Sequence, residues 1–177
     1  MNDNSAEKEQ KRIGGAMLVA MWVIVLAMVS VFFVDYLDDK RNPNQALSTR
    51  YLEGGLREIA LQRNNEGHYV TDGTINGHDV VFLLDTGATG IAVPEHIARR
   101  LDLEYGPQIQ LRTASGLARG YVTNIDRAGI GDIVLDDVAA VINPSDTSDE
   151  VLLGMSFLQQ IEFTQRGDTL ILRQAAP

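Results

Sequence analysis

The chain has 177 residues, a formal net charge of −9 at pH 7 from 15 Lys and Arg against 24 Asp and Glu, and no cysteine. The acidic balance argues against a nucleic-acid partner, because binding to a phosphate backbone depends on clustered Lys and Arg. Without cysteine the fold uses neither a disulfide nor a thiolate metal site.

The first predicted element is a transmembrane helix at residues 13–34, a stretch without a charged side chain. As an α-helix rising about 1.5 Å per residue it spans roughly 33 Å, enough for a hydrocarbon core of about 30 Å. A cleavable signal peptide is the alternative. Its apolar core would be roughly 7–15 residues long and would end in a small-x-small site. This apolar run is longer and ends in Phe32-Phe33-Val34-Asp35, which is not such a site. The sequence therefore favours a retained anchor.

Three basic residues lie in the short tail before this helix: Lys8, Lys11 and Arg12. By the positive-inside rule they hold the tail, residues 1–12, in the cytoplasm and place the rest of the chain across the membrane. Residues 35–56 are predicted as a linker, polar up to about residue 51 and containing Pro43, which favours an open chain. A short helix at residues 46–56, interrupted by Gly54-Gly55, is the alternative for its second half. The domain is predicted at residues 57–173, long enough to bury a modest core.

From residue 57 the sequence predicts short strands separated by turn residues. Asn76-Gly77 closes a hairpin, because both residues tolerate the positive φ angles of a type I′ turn. A short helix begins at Pro94, where a missing N–H costs little. Strands are expected at residues 58–62, 68–75, 78–84, 109–113, 117–122, 125–130, 133–135, 138–142 and 169–172. The pattern indicates an all-β domain with one or two short helices.

Two short segments carry the chemistry. The apolar strand at residues 80–84 runs into Asp85-Thr86-Gly87, followed by Ala88. A carboxylate at the mouth of a buried strand is unfavourable unless it has a partner, a shared proton or a catalytic role. A second apolar run closed by glycine, Leu152-Leu153-Gly154, follows later in the chain. The tripeptide alone is a weak signal, and the pair of segments is a stronger one.

This pair of segments resembles the aspartic peptidase pattern, in which a strand ends in Asp-Thr-Gly-Ala and a later apolar-apolar-Gly loop packs beside it. A single Asp-Thr-Gly is similar to the retropepsins rather than the two-lobed pepsins. With the predicted anchor, the chain resembles the bacterial membrane-anchored, retropepsin-like group over residues 57–173. The resemblance implies a retropepsin-like closed β-barrel preceded by one transmembrane helix.

The resemblance also implies residue roles. Asp85 would be catalytic, and because two carboxylates sharing one proton can act as base and acid, a homodimer would supply the pair. Thr86, Gly87 and Ala88 would support the active site, while Leu152, Leu153 and Gly154 would pack against its loop. The substrate would be a polypeptide, and no cofactor is implied.

The hairpin formed by residues 109–113 and 117–122 has a small, flexible tip at Ala114, Ser115 and Gly116. In the retropepsin interpretation this hairpin is the flap, which closes over bound peptide and excludes water. The alternative is an ordinary surface hairpin. Its place between Asp85 and Leu153-Gly154 favours the flap.

Other candidate sites are weaker. His68, His78 and His96 form no metal-ligand spacing, so no metal site is predicted. Ser156 lacks the context of an activated nucleophile. Many retroviral members pair an acid directly after Asp-Thr-Gly-Ala with an arginine after the later glycine, but this chain has Thr89 and Met155 there. We expect a different brace in place of that ion pair.

The sequence therefore predicts an aspartic endopeptidase that cleaves envelope or periplasmic proteins. It would be a single-pass protein of a bacterial inner membrane, with a cytoplasmic N-terminus and a periplasmic C-terminal domain. The first alternative is a non-catalytic periplasmic peptide-binding module of the same fold. The second is an anchored β-scaffold in which Asp-Thr-Gly is only a turn.

Overall fold

The structure, a computed structural model, describes residues 3–113 and 116–175. The chain forms two compact units, Met1–Asp39 and Lys40–Pro177. Helix α1 (Asp3–Arg41) accounts for the described part of the first unit. Among the described residues, one helical segment, Met17–Arg41, is long and apolar enough to cross a membrane, with a mean hydropathy of 2.8. Length and composition alone qualify it, and a signal sequence would pass the same test.

The second unit contains the strands and the remaining helices. In chain order the strands are β1 (Arg50–Tyr51), β2 (Arg57–Gln62), β3 (Tyr69–Ile75), β4 (His78–Leu84), β5 (Ile91–Pro94), β6 (Gln108–Thr113), β7 (Gly116–Ile130), β8 (Ile133–Asn143), β9 (Glu150–Leu153), β10 (Glu162–Arg166) and β11 (Thr169–Gln174). A 3-10 turn covers Glu53–Gly55, and the short helices are α2 (Glu95–Arg100) and α3 (Met155–Leu158).

The strands form a closed barrel and a smaller sheet. In the barrel β3, β4, β9, β5, β8 and β7 are neighbours in that order, and β3 pairs again with β7. The β6–β7 hairpin extends from this ring. The smaller sheet has the order β1-β2-β11-β10. The prediction of an all-β closed barrel with short helices, preceded by an apolar helix, is confirmed.

The barrel closes around an apolar interior because its strands alternate inward and outward side chains. Along β4 the side chains of Val80, Phe82 and Leu84 are buried, and the residues between them are only partly covered. The β3–β4 hairpin turns at Asn76 and Gly77, whose φ angles of 50° and 81° are those expected of a type I′ turn. This hairpin fixes the register that delivers Asp85.

The structure differs from expectation in its strands and in its linker. Strands β1, β5, β9 and β10 are additional to those that the sequence predicts. Strands β7 and β8 also run on without the breaks expected at residues 123–124 and 136–137, and Asp137 has a φ of 56°. The β7–β8 register is the same before and after this point, from Ile125 opposite Val138 to Arg127 opposite Asp136, and the strands are continuous through it.

The second difference lies in the expected open linker, residues 35–56. Helix α1 continues to Arg41, and the compact unit already begins at Lys40. Asn42 and Asn44 are buried in that unit, at 7% and 5% exposure. Hydrogen bonds to neighbouring strands make this burial possible, since a buried amide needs partners.

Candidate active site

Strand β4 and strand β9 together place Asp85. They pair in parallel, with Leu84 opposite Leu153, and Asp85 is the first residue beyond β4. The backbone N–H of Asp85 donates to the carbonyl of Leu153 at 3.1 Å. A hydrophobic strand ending beside another therefore holds the carboxylate at the barrel edge, where the side chain is exposed.

The turn after Asp85 orients its carboxylate. The N–H of Gly87 donates to Asp85 Oδ1 at 2.8 Å, and the N–H of Ala88 donates to the Asp85 carbonyl at 3.2 Å. Thr86 and Gly87 are exposed, and Ala88 is partly buried. A short polar loop thus presents one fixed carboxylate, one hydroxyl side chain and one glycine at the surface of a single chain.

Gly154 packs against the back of this loop. A Cβ atom at Gly154 would lie 2.4 Å from the Gly90 carbonyl oxygen and 2.6 Å from that of Ala88. Next to it, the N–H of Met155 donates to the same Ala88 carbonyl at 2.9 Å. The structure therefore brings the two predicted segments into direct contact, and only glycine fits at their closest point.

Ser156 contributes to the framework of the site through its side-chain hydroxyl. Its Oγ accepts a hydrogen bond from the N–H of Ile91 at 3.1 Å and donates to the carbonyl of Ala139 at 3.2 Å. It therefore ties the end of the Asp85 loop to β8. No sequence signal marks this role, because a serine opening a short helix has many possible partners.

At the positions of the missing acid–arginine pair, Thr89 is exposed and Met155 packs against the hydrophobic core. The N–H of Met155 donates to the Ala88 carbonyl, and the Oγ of Ser156 accepts from the N–H of Ile91. Neutral hydrogen bonds therefore join the loops where the retroviral pattern would place an ion pair.

A pocket of about 270 Å³ opens beside the carboxylate, with Asp85 and Thr86 in its wall. Its apolar wall consists of Leu84, Leu158, Phe163 and Leu170. Arg63, His68 and Tyr69 also line it, with the Arg63 guanidinium carbon 5.6 Å from the centre of the Tyr69 ring. The site can therefore accommodate an apolar group next to Asp85.

A larger cavity of about 590 Å³ lies elsewhere, between the β3–β4 hairpin and α2. It is lined by Asp72, Asp79, His96 and Arg100 among others, and Asp85 is not among its lining residues. The size of this cavity alone does not connect it with Asp85-Thr86-Gly87. We therefore assign the candidate chemistry to the smaller pocket.

The β6–β7 hairpin is the predicted flap. Its strands pair from Gln108 opposite Tyr121 to Thr113 opposite Gly116. Gly116 has a φ of 118° and is exposed, whereas Ala114 and Ser115 lie outside the described residues. Leu117, next to the tip, is 70% exposed. The hairpin is present, and its contact with substrate stays a prediction.

Among the described residues no group of three or more His, Cys, Asp or Glu side chains could hold a metal ion. His96 Nε2 lies 3.4 Å from Asp149 Oδ1, and His68 Nδ1 lies 3.9 Å from Glu66 Oε2, both at the surface. The carboxylate of Asp85 is therefore the principal chemical group of the candidate site.

Comparisons with known proteins agree with this geometry. The family described as gag-polyprotein putative aspartyl protease matches residues 71–160. An uncharacterized protein of the cobV 5′ region from a Sinorhizobium species is 32% identical over 172 residues, covering 90% of this chain and 73% of that protein.

Two solved structures are also similar. A retropepsin-like aspartic protease from Rickettsia conorii has a TM-score of 0.57 and 27% identity, covering 72% of this chain and 93% of that one. The EIAV protease in complex with an inhibitor has a TM-score of 0.45 and 20% identity, covering 56% and 92%. The chain belongs to the retropepsin-like aspartic protease family.

Proposed function

We propose that this protein is an aspartic endopeptidase whose catalytic carboxylates are the Asp85 side chains of two copies of the chain. The observation that carries the proposal is the exposed Asp85 carboxylate at the end of a buried strand, oriented by the Gly87 N–H at 2.8 Å. The sequence holds a single Asp-Thr-Gly. A second carboxylate of the same kind must therefore come from a second copy.

The chemistry follows from bringing two such carboxylates together. At a separation of a few ångströms they cannot both ionise, so they share one proton. The ionised Asp85 takes a proton from a water placed between them, and that water attacks the scissile carbonyl. The protonated Asp85 donates its proton to the carbonyl oxygen, which gives a tetrahedral diol. The Asp85 that took the proton from water then donates it to the amide nitrogen, the other Asp85 takes a proton from a diol hydroxyl, and the C–N bond breaks to give an amine and a carboxylic acid.

Neighbouring residues take supporting roles. The exposed hydroxyl of Thr86 is available to hydrogen-bond across the dimer axis. Gly87 has no side chain to keep an extended substrate away from its backbone, so the peptide can pair there as an added strand. The β6–β7 hairpin closes over the peptide and excludes water.

We further propose a bacterial inner-membrane location with the domain in the periplasm and envelope or periplasmic proteins as substrates. Support comes from the apolar segment Met17–Arg41 and from Lys8, Lys11 and Arg12 before it. A reporter active only outside the cytoplasm should work when fused after Pro177 and fail when fused before Ile13. The reverse pattern would contradict this topology.

The activity is tested by digestion of a peptide library with the full-length protein in detergent. Asp85→Asn should abolish cleavage and leave the melting temperature close to that of the wild type. Asp126→Asn, at an exposed aspartate of β7, is the matched control and should cleave normally. Residual cleavage by Asp85→Asn at the wild-type rate would refute the assignment. Peptide binding without cleavage by the wild type would favour the non-catalytic binding module.

A further inference from the structure

Residues 41–44, named here the strap, pack on the domain although three of them are polar or charged. Asn42 and Asn44 are among the buried polar residues, at 7% and 5% exposure. Polar side chains are rarely this buried unless their hydrogen-bonding groups are satisfied. The partners of the strap therefore show which parts of the domain depend on it.

Asn44 joins the two sheets. Its Nδ2 donates to the carbonyl of Gln62 at 2.9 Å and to that of Val70 at 2.7 Å, while its Oδ1 accepts from the N–H of Gln62 at 2.7 Å. Gln62 is the last residue of β2 in the smaller sheet, and Val70 belongs to β3 of the barrel. One amide side chain thus makes bonds that a neighbouring strand would otherwise make.

The connection between these strands forms one side of the Asp85 pocket. Arg63, His68 and Tyr69 all line that pocket. Within the connection, Asn64 donates from Nδ2 to the carbonyl of Arg41 at 3.0 Å, and its Oδ1 accepts from the N–H of His68 at 2.9 Å. The strap therefore holds both the ends and the middle of this wall.

The strap also contacts β9, the strand that pairs with β4 beside Asp85. Arg41 Nε donates to Glu150 Oε1 at 2.8 Å, and the Glu150 side chain is only 14% exposed. Glu150 is the first residue of β9, whose Leu153 carbonyl accepts the N–H of Asp85. The strap is thus bonded to the 63–68 connection, which lines the Asp85 pocket, and to β9, which accepts the Asp85 N–H.

We propose that Asn44 is a positioning residue of the candidate active site, acting through Gln62 and Val70, the strand residues that flank the 63–68 connection. Removing its side chain leaves the strand-end groups of Gln62 and the Val70 carbonyl without partners and loosens the pocket wall. The inference rests on the proposed function for its kinetic readout alone.

The experiment compares full-length variants in detergent micelles. Asn44→Ala is the test, and Gln45→Ala, at the exposed neighbour, is the matched control. Ile133→Ala, at a fully buried core residue of β8, supplies a loss of stability without altering the strap. For each protein we measure the melting temperature, amide hydrogen exchange, and kcat and KM for a peptide whose cleavage requires Asp85.

Asn44→Ala should lower the melting temperature by about 5–15 °C, because several buried groups lose partners. Exchange at Gln62, His68 and Asp85 should accelerate about 10-fold or more. Well below the melting temperature, kcat should fall about 10–100-fold, as expected when a catalytic group is displaced by about 1 Å. Ile133→Ala should retain kcat, and Gln45→Ala should behave as the wild type.

A purely stabilising role predicts that Asn44→Ala keeps the kcat of Ile133→Ala and that its exchange rises evenly over the domain. That result would overturn the proposal. If the wild type shows no cleavage that requires Asp85, the proposed function fails, and exchange at His68 and Asp85 then decides alone. Unchanged exchange at those two amides would overturn the positioning role.

Discussion

Replacing Gly154 with alanine tests the contact on which the candidate site depends. The added Cβ would lie 2.4 Å from the Gly90 oxygen and 2.6 Å from the Ala88 oxygen, whereas ordinary contacts begin near 3.4 Å. The backbone angles at Gly154, φ −97° and ψ −161°, suit any residue. The effect is therefore steric, and the obstacles are backbone atoms of the Asp85 loop, which cannot rotate away.

We expect the loop and β9 to separate by about 1 Å in the Gly154→Ala protein. Overpacking of this kind costs about 1–3 kcal/mol, which lowers the melting temperature by roughly 3–10 °C in a domain of this size. A displacement of about 1 Å at a catalytic group lowers activity about 100-fold. Activity should therefore fall further than the loss of stability alone explains.

Gly90→Ala is the matched control, because a Cβ there would lie at an ordinary 3.7 Å from Ser156 Oγ. Thermal unfolding and Asp85-dependent peptide cleavage are measured for both variants. The steric argument is wrong if Gly154→Ala melts and cleaves like Gly90→Ala.

Three further predictions concern the dimer, the Ser156 bond and pH. Mixing and reassociating wild-type and Asp85→Asn chains should lower cleavage per wild-type chain in proportion to the wild-type fraction, whereas a rate independent of mixing would contradict a shared pair of carboxylates. Ser156→Ala removes the acceptor of the Ile91 N–H and should lower the free energy of unfolding, measured with denaturant, by about 1–3 kcal/mol. A loss below about 0.5 kcal/mol, typical of neutral surface changes, would contradict this role. Burial raises the pKa of Asp72, a neighbouring Asp79 raises it further, and the hydrogen bond from Asn42 lowers it. The folded state thus binds the Asp72 proton more tightly than the unfolded state does. The stability that the protonated Asp72 contributes is therefore present at low pH and lost as pH rises from about 4. Asp72→Asn should therefore gain stability relative to the wild type between pH 4 and pH 7 in thermal melts, and an equal difference at both pH values would count against it.

Local sequence signals predicted much of the site's framework. The alternation along β4 and the Asn76-Gly77 turn depend on neighbouring residues alone, so they could be read directly. The apposition of the Asp85 loop with Leu153-Gly154 required a family resemblance, because nothing within either segment indicates that they meet.

The strap could not be predicted in the same way. Asn42 and Asn44 flank Pro43, and polar residues beside proline normally indicate an exposed connection. Asn44 is bonded to the carbonyl and N–H of Gln62 and to the carbonyl of Val70, and Asn42 is bonded to the carboxylate of Asp72. These groups come together only in the folded domain. The same reason hides Ser156, whose partners Ile91 and Ala139 lie on strands distant in sequence.

The parallel pairing of β4 with β9 also has a consequence for the order of folding. The β7–β8 and β3–β4 hairpins join segments adjacent in sequence, so little chain entropy opposes their closure. Leu84 and Leu153 pair although they belong to opposite halves of the domain, so their pairing closes a long loop at a larger cost in chain entropy. We therefore expect the surroundings of Asp85 to consolidate after the rate-limiting step, so that substitutions there accelerate unfolding and leave the folding rate nearly unchanged.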